Sequence, residues 1–101
     1  MQAHPNDLEI QNNEAGQQFE ANVDGDLAFV EYRRSGNKLV LVHTEVPEAL
    51  EGRGIGSQLA HAALEYARAQ GLGVVPLCPF VASYIRRHPE YQDLVHPSSH
   101  T

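Results

Sequence analysis

Cysteine occurs once in the 101 residues, at Cys78. A single thiol excludes an intramolecular disulfide and any metal site built mainly from cysteine. Cations are also scarce: seven Lys and Arg against thirteen Asp and Glu give a formal net charge of −6. That balance argues against a nucleic-acid partner, because no basic stripe is present to neutralise phosphates. It argues equally against an electrostatic grip on an anionic membrane. A small anionic ligand is not excluded, since it needs only a local positive site. No apolar run approaches the roughly 18 residues of a membrane-spanning helix. The opening MQAHPNDLEI shows no basic-then-apolar leader pattern. The expectation is a soluble protein in a reducing, cytoplasmic setting. The six histidines show no convincing metal-ligand spacing, and His96 and His100 fall in the C-terminal tail. No metal is expected.

What is present is an ordinary globular composition, 42% hydrophobic and 20% charged, in a length that suits one domain with one core. That domain is expected to span residues 1–101, with loose termini over about residues 1–7 and 96–101. Residues 8–11 read as a short edge strand, and Asn12-Asn13-Glu14-Ala15-Gly16 as a turn. Phe19, Ala21 and Val23 alternate in a half-buried strand, and Asp24-Gly25 is a strong hairpin signal. Residues 26–34 place Leu27, Phe29 and Glu31 on one face and Ala28, Val30 and Tyr32 on the other. Ser35-Gly36-Asn37 turns the chain into a partner strand, KLVLVHTEV, over residues 38–46. The economical reading is a three-stranded antiparallel meander.

The second half changes period. Ile55, Leu59, Ala62, Ala63, Tyr66 and Ala67 recur at three- and four-residue spacing, which predicts a helix over 55–70 with Gly71 as its C-terminal cap. GVVPLC, residues 73–78, is short, apolar and β-branched, so it reads as a buried strand with Pro76 at its edge or near its end. Residues 79–87 form a second helix that His88-Pro89 stops, and residues 90–95 a short terminal turn. The order strand-strand-strand-helix-strand-helix predicts a mixed α/β sheet in which residues 73–78 return beside 38–46 by a right-handed crossover. Parallel strands that splay at that point leave a crevice over the helix N-terminus.

That crevice falls on the most informative stretch of the chain, VPEALEGRGIGSQL, residues 46–59. A glycine-rich turn that opens a helix has a physical use. The first N–H groups of a helix lack partners within it, and the dipole places partial positive charge there. Missing side chains at Gly52, Gly54 and Gly56 let an anion approach those donors, and Arg53 adds a cation beside them. The expected ligand is a phosphate or pyrophosphate. The stretch lacks the Lys-Ser/Thr of a P-loop, and Leu59 stands where a dinucleotide fingerprint wants a small residue. The competing reading is a tight strand-to-helix connection whose glycines serve only backbone geometry.

HTEVPEALEGRGIGSQL, followed by a long helix, a short strand and CPFVASYIRRHPEY, resembles the GNAT superfamily of acyl-CoA-dependent acetyltransferases. Within it, the likeness is to small single-domain members of about a hundred residues, and it covers residues 19–94. The resemblance implies a GNAT-like mixed sheet, an antiparallel meander followed by a β-α-β-α unit with splayed central strands. Gly54 and Gly56 match the last two positions of the superfamily's pyrophosphate turn, whereas its leading Gln or Arg is Glu51 here. It further implies that Glu51, Gly52, Arg53, Gly54, Ile55, Gly56 and Ser57 cradle the coenzyme A pyrophosphate. Thr44 and Val46 then line the pantetheine arm. The implied co-substrate is acetyl-CoA, and the acceptor an unidentified amine of a small molecule or protein. No nucleic-acid or membrane partner is implied, and nothing in the chain fixes its oligomeric state.

Acetyl transfer needs an unprotonated nucleophile, a stabilised oxyanion and a protonated leaving thiolate. Tyr84 matches the tyrosine that by resemblance protonates that thiolate, and it also reads as an amphipathic core residue at helical spacing with Phe80. His43 near the end of the central strand is of a type suited to a general base, with Glu45 two residues on and therefore on the same face. It reads equally as a structural histidine. Cys78 precedes the second helix, where a thiol can become nucleophilic. By resemblance it permits an acetyl-cysteine intermediate, and its plainer reading is a buried small residue. Arg86 and Arg87 complement a helix C-terminus. Three functions follow in order of support: an acetyl-CoA-dependent N-acetyltransferase, an acyl-CoA-binding sensor or partner module without efficient turnover, and a cysteine hydrolase using Cys78 and His43.

Overall fold

The computed structural model describes residues 8–95, so the expected loose termini and the two tail histidines lie outside the described residues. Five strands form one sheet in the order β1-β2-β3-β4-β5: Gln11–Asn13, Gln18–Val23, Asp26–Ser35, Lys38–Glu45 and Gly73–Pro76. The first four are an antiparallel meander, and β5 adds in parallel to β4. Helix α1, Ile55–Gln70, carries the crossover, and α2, Pro79–Arg87, follows β5. Two 3-10 segments complete the chain, Glu48–Leu50 before α1 and Pro89–Leu94 after α2.

The edge strand β1 sits later than expected, on the asparagines that read as a turn. Their side chains explain the shift: Asn12 Oδ1 accepts the Tyr32 hydroxyl at 2.6 Å, and Asn13 Nδ2 donates to Glu20 at 2.7 Å. The turn moves on to Gln17, whose φ is 56°. The stripe of α1 is also rotated from the expectation. Ile55, Leu59, Ala60, Ala63, Leu64 and Ala67 are buried, whereas Ala62 and Tyr66 pack only partly against the core. Gly71 is the expected left-handed cap, at φ 70°, with Leu72 N–H reaching back to the Ala67 carbonyl at 2.8 Å.

Two backbone events shape the end of the sheet that matters. First, β5 stops at Pro76, two residues short of the expectation. Proline has no N–H to donate, so the parallel ladder ends at the Leu41–Pro76 pair. Cys78 is thereby released from the strand to become the N-cap of α2, its N–H donating to the Leu41 carbonyl at 3.0 Å. Beyond that point β4 continues without β5, and the two central strands diverge. Second, a bulge interrupts the β3–β4 register: Tyr32 pairs with Leu41 but Glu31 with His43, leaving Val42 over. One extra residue exchanges the faces of everything after it. Leu39 and Leu41 are fully buried toward the helices, but past the bulge Thr44 takes that side, opposite the buried Val30. His43 and Glu45 turn to the other face with Phe29 and Glu31.

Candidate active site

The loop from β4 to α1 closes into a cleft of about 450 Å3 at the point where the central strands part. Thr44, Val46, Glu51, Gly52, Gly54, Ile55, Gly56 and Ser57, all expected at a coenzyme site, line it together with Glu45 and Leu50. Arg53 does not; it is exposed beside the cleft. Phe80 of α2 completes the wall and was missed by sequence reading, since nothing local to it signals a ligand.

Each glycine of the turn has its own cause. Gly52 and Gly54 sit at φ 83° and 74°, left-handed conformations that cost an L-residue about 1–2 kcal/mol. Gly56 is helical, and its need is space. A Cβ there would stand 2.9 Å from Phe80 Cζ and 3.4 Å from Val46 Cγ2. Helix α1 is capped by Gly54 without any side-chain hydrogen bond, and its first turn holds no acidic residue. The first intrahelical bond runs from Gln58 N–H to the Gly54 carbonyl at 3.1 Å. The N–H groups of Ile55, Gly56 and Ser57 therefore have no partner within the helix and carry the positive end of its dipole into the cleft. An anion bound here is met by backbone donors rather than by a side-chain cation. Glu51 and Glu45 on the rim work against that attraction.

The three expected catalytic side chains are placed apart. Cys78 is 4% exposed, beneath the cleft, with its Sγ 3.2 Å from Thr44 Oγ1. His43 lies on the other face of the sheet, its Nε2 2.9 Å from Glu45 Oε1 and its ring edge-on to Phe29. Thr44 and Glu45, consecutive in β4, thus both line the cleft and lead to opposite faces, one to the thiol and one to the imidazole. That separation leaves Cys78 and His43 without the direct contact a cysteine hydrolase dyad requires. Tyr84 lines a neighbouring cavity rather than the cleft, with its ring stacked on His88 at 3.9 Å. Burial raises its pKa, and the Glu90 charge adds to that against the opposing Arg87, so the phenol stays protonated. Among the described residues no group of three or more His, Cys, Asp or Glu side chains is gathered as metal ligands. Nor is any described helix long and apolar enough to cross a membrane.

Known proteins resemble this arrangement closely. The family model of the GCN5-related N-acetyl-transferase domain matches residues 18–94. Protein NATD1 of Gallus gallus is 34% identical over 92 residues, covering 88% of this chain and 84% of that one. The human NATD1 is 32% identical over 95 residues, covering 89% and 84%. The solution structure of a GCN5-like putative N-acetyltransferase from Staphylococcus aureus superposes with a TM-score of 0.71 at 31% identity, covering 92% of each chain. With the glycine turn, the parted strands and the uncapped helix all inside the matched region, the chain belongs to the GCN5-related N-acetyltransferase family.

Proposed function

We propose that the protein moves an acetyl group from acetyl-CoA to an amine, with the cleft between β4 and α1 as the coenzyme site. The observation that carries this reading is the glycine-rich start of α1: three N–H donors, glycines at 52, 54 and 56, and no competing acidic cap. A pyrophosphate is the ligand such a cradle suits. The pantetheine arm follows Thr44 and Val46 into the gap left where β5 ends.

Chemistry is divided between the two faces of the sheet. On the open face, His43 with Glu45 takes the proton of the attacking amine, which adds to the thioester carbon. On the helix side the carbon–sulfur bond breaks and the coenzyme thiolate takes a proton from solvent, which balances the one that His43 removes from the amine and returns to solvent. Cys78, one contact beneath the cleft through Thr44, offers a covalent variant of the same transfer: its sulfur attacks the thioester carbon, its proton leaves with the coenzyme sulfur, and the amine then displaces the cysteine sulfur, which regains a proton. A second reading, an acyl-CoA-binding module without efficient turnover, is favoured by one observation. Tyr84 lines another cavity instead of the cleft.

Titration calorimetry with acetyl-CoA and CoA, followed by mass measurement, tests the proposal. Binding is expected at micromolar concentrations, and an acetyl adduct lost in Cys78→Ala identifies the covalent route. No binding up to about a millimolar removes the coenzyme site and leaves the glycine turn a structural one.

A further inference from the structure

A second cavity, of about 690 Å3, opens between α1 and α2 and shares Ser57 with the cleft. In a chain of net charge −6 its lining contains no carboxylate. Its polar side chains are Ser57, Gln58 and His61 of α1, Tyr84 and Arg87 of α2, and His88. Phe80 in the cleft and Tyr84 in the cavity are one turn of α2 apart, about 5–6 Å along the helix, so the two spaces adjoin.

Tyr84 and the two imidazoles are held in place, and each keeps a polar atom without a protein partner among the described residues. Tyr84 is only 5% exposed, and among the described residues its hydroxyl has no hydrogen-bond partner. Buried hydroxyls are normally paired, and an unpaired one on a residue that lines a cavity points to a ligand there. Arg87 likewise has no ion pair or hydrogen bond among the described residues, whereas Arg68 is engaged by Asp93 and the Glu90 carbonyl. Each imidazole is fixed through one nitrogen. His88 Nδ1–H donates to the Tyr84 carbonyl at 2.8 Å. The Tyr91 hydroxyl donates to Glu65 at 2.5 Å, so its oxygen accepts from His61 Nδ1–H at 2.9 Å. In both rings Nε2 remains without a protein partner among the described residues. Protonated, it donates a charge-assisted hydrogen bond.

We propose that this cavity is a phosphomonoester site and that it takes the 3′-phosphate of the coenzyme whose pyrophosphate occupies the cleft. One guanidinium and one phenol donate to a doubly charged, three-oxygen terminus, and each oriented imidazole adds a donor in its imidazolium form. A neutral or singly charged group would leave part of it unpaired. The inference rests on the coenzyme reading of the cleft and adds to it a selectivity: the protein distinguishes CoA from 3′-dephospho-CoA.

Calorimetric titration of the full chain with CoA, 3′-dephospho-CoA and inorganic phosphate tests this, in the wild type and in Arg87→Gln and Tyr84→Phe. Arg87 is exposed, so its replacement leaves the fold intact. CoA is expected to bind at least tenfold tighter than 3′-dephospho-CoA. Arg87→Gln weakens CoA toward the dephospho level and leaves 3′-dephospho-CoA unchanged, and Tyr84→Phe does the same to a smaller degree. Inorganic phosphate competing with CoA, but not with 3′-dephospho-CoA, assigns the site to the phosphate itself. Equal affinities of the two coenzymes in the wild type overturn the phosphate site and leave the cleft reading standing. Binding of neither overturns both.

Discussion

Cys78 Sγ and Thr44 Oγ1 lie 3.2 Å apart and join the start of α2 to the free end of β4, directly under the cleft. The contact exists because Pro76 ends β5 two residues early and the bulge at Val42 turns Thr44 toward the helices. Cys78→Ala is expected to cost about 1 kcal/mol of stability, read as a lowered melting temperature, because it removes a small buried atom group and one weak hydrogen bond. Coenzyme affinity should change by less than about threefold, since the thiol does not line the cleft. An order-of-magnitude loss of binding would show that the thiol shapes the coenzyme site.

Gly56 gives the cleft its width. In Gly56→Ala the new methyl group must displace the Phe80 ring, whose far edge stands 2.9 Å away. That ring is 37% exposed and free to yield, so the cost in stability is expected to stay near 1 kcal/mol. The space into which it yields is the cleft proposed for the coenzyme, and CoA affinity should fall about tenfold or more. Adding Phe80→Ala to Gly56→Ala should restore part of that affinity. If the double variant binds no better than the single one, Phe80 is not the obstruction.

The His43–Glu45 pair is exposed, at 54% and 56% of the two side chains. An ion pair of that kind contributes little to folding, and His43→Gln is expected to move stability by no more than about 0.5 kcal/mol. As the base of the proposed transfer, however, His43 should carry roughly 10²–10⁴-fold of kcat/KM, with the Kd for CoA unchanged. Unaltered turnover in His43→Gln would return it to the role of a surface histidine beside Phe29.

The course of the chain explains what could be read in advance. Helix α1, its cap at Gly71, the hairpins at Asp24-Gly25 and Gly36-Asn37 and the glycine turn before α1 are local events written in spacing and glycine placement, and they stand where the pattern puts them. The position of His43 was harder. Strict alternation from Leu39 and Leu41 points it inward, and only a bulge, which depends on pairing with β3, turns it out. Cys78 illustrates the same limit, because its release from β5 follows from where the parallel ladder can end. Phe80 was invisible for a different reason. Its role depends on Gly56, which lies 24 residues away in sequence and meets it only once α1 and α2 are packed.

Tyr91 sets the behaviour of the fold in alkali. Its hydroxyl, buried against α1, is held by Glu65 and His61, and its ring lies under the Arg68 guanidinium at 5.7 Å. Burial, and then the Glu65 carboxylate that accepts its proton, push the phenol well above the ordinary tyrosine range. Burial is also the first cause of the upward shifts at Tyr32 and Tyr84. In the unfolded chain these phenols ionise near pH 10, while the native protein keeps them protonated, so above that pH the unfolded state binds fewer protons. Their stabilisation is therefore complete below about pH 10 and is lost as pH rises toward the native values. The melting temperature should be insensitive to these groups at neutral pH and fall steeply beyond about pH 10. Tyr91→Phe removes the largest of the three shifts and two hydrogen bonds. It is expected to cost about 1–3 kcal/mol at pH 7 and to make the alkaline decline shallower. A variant that melts lower at pH 7 yet declines as steeply as the wild type above pH 10 would take Tyr91 out of the alkaline transition.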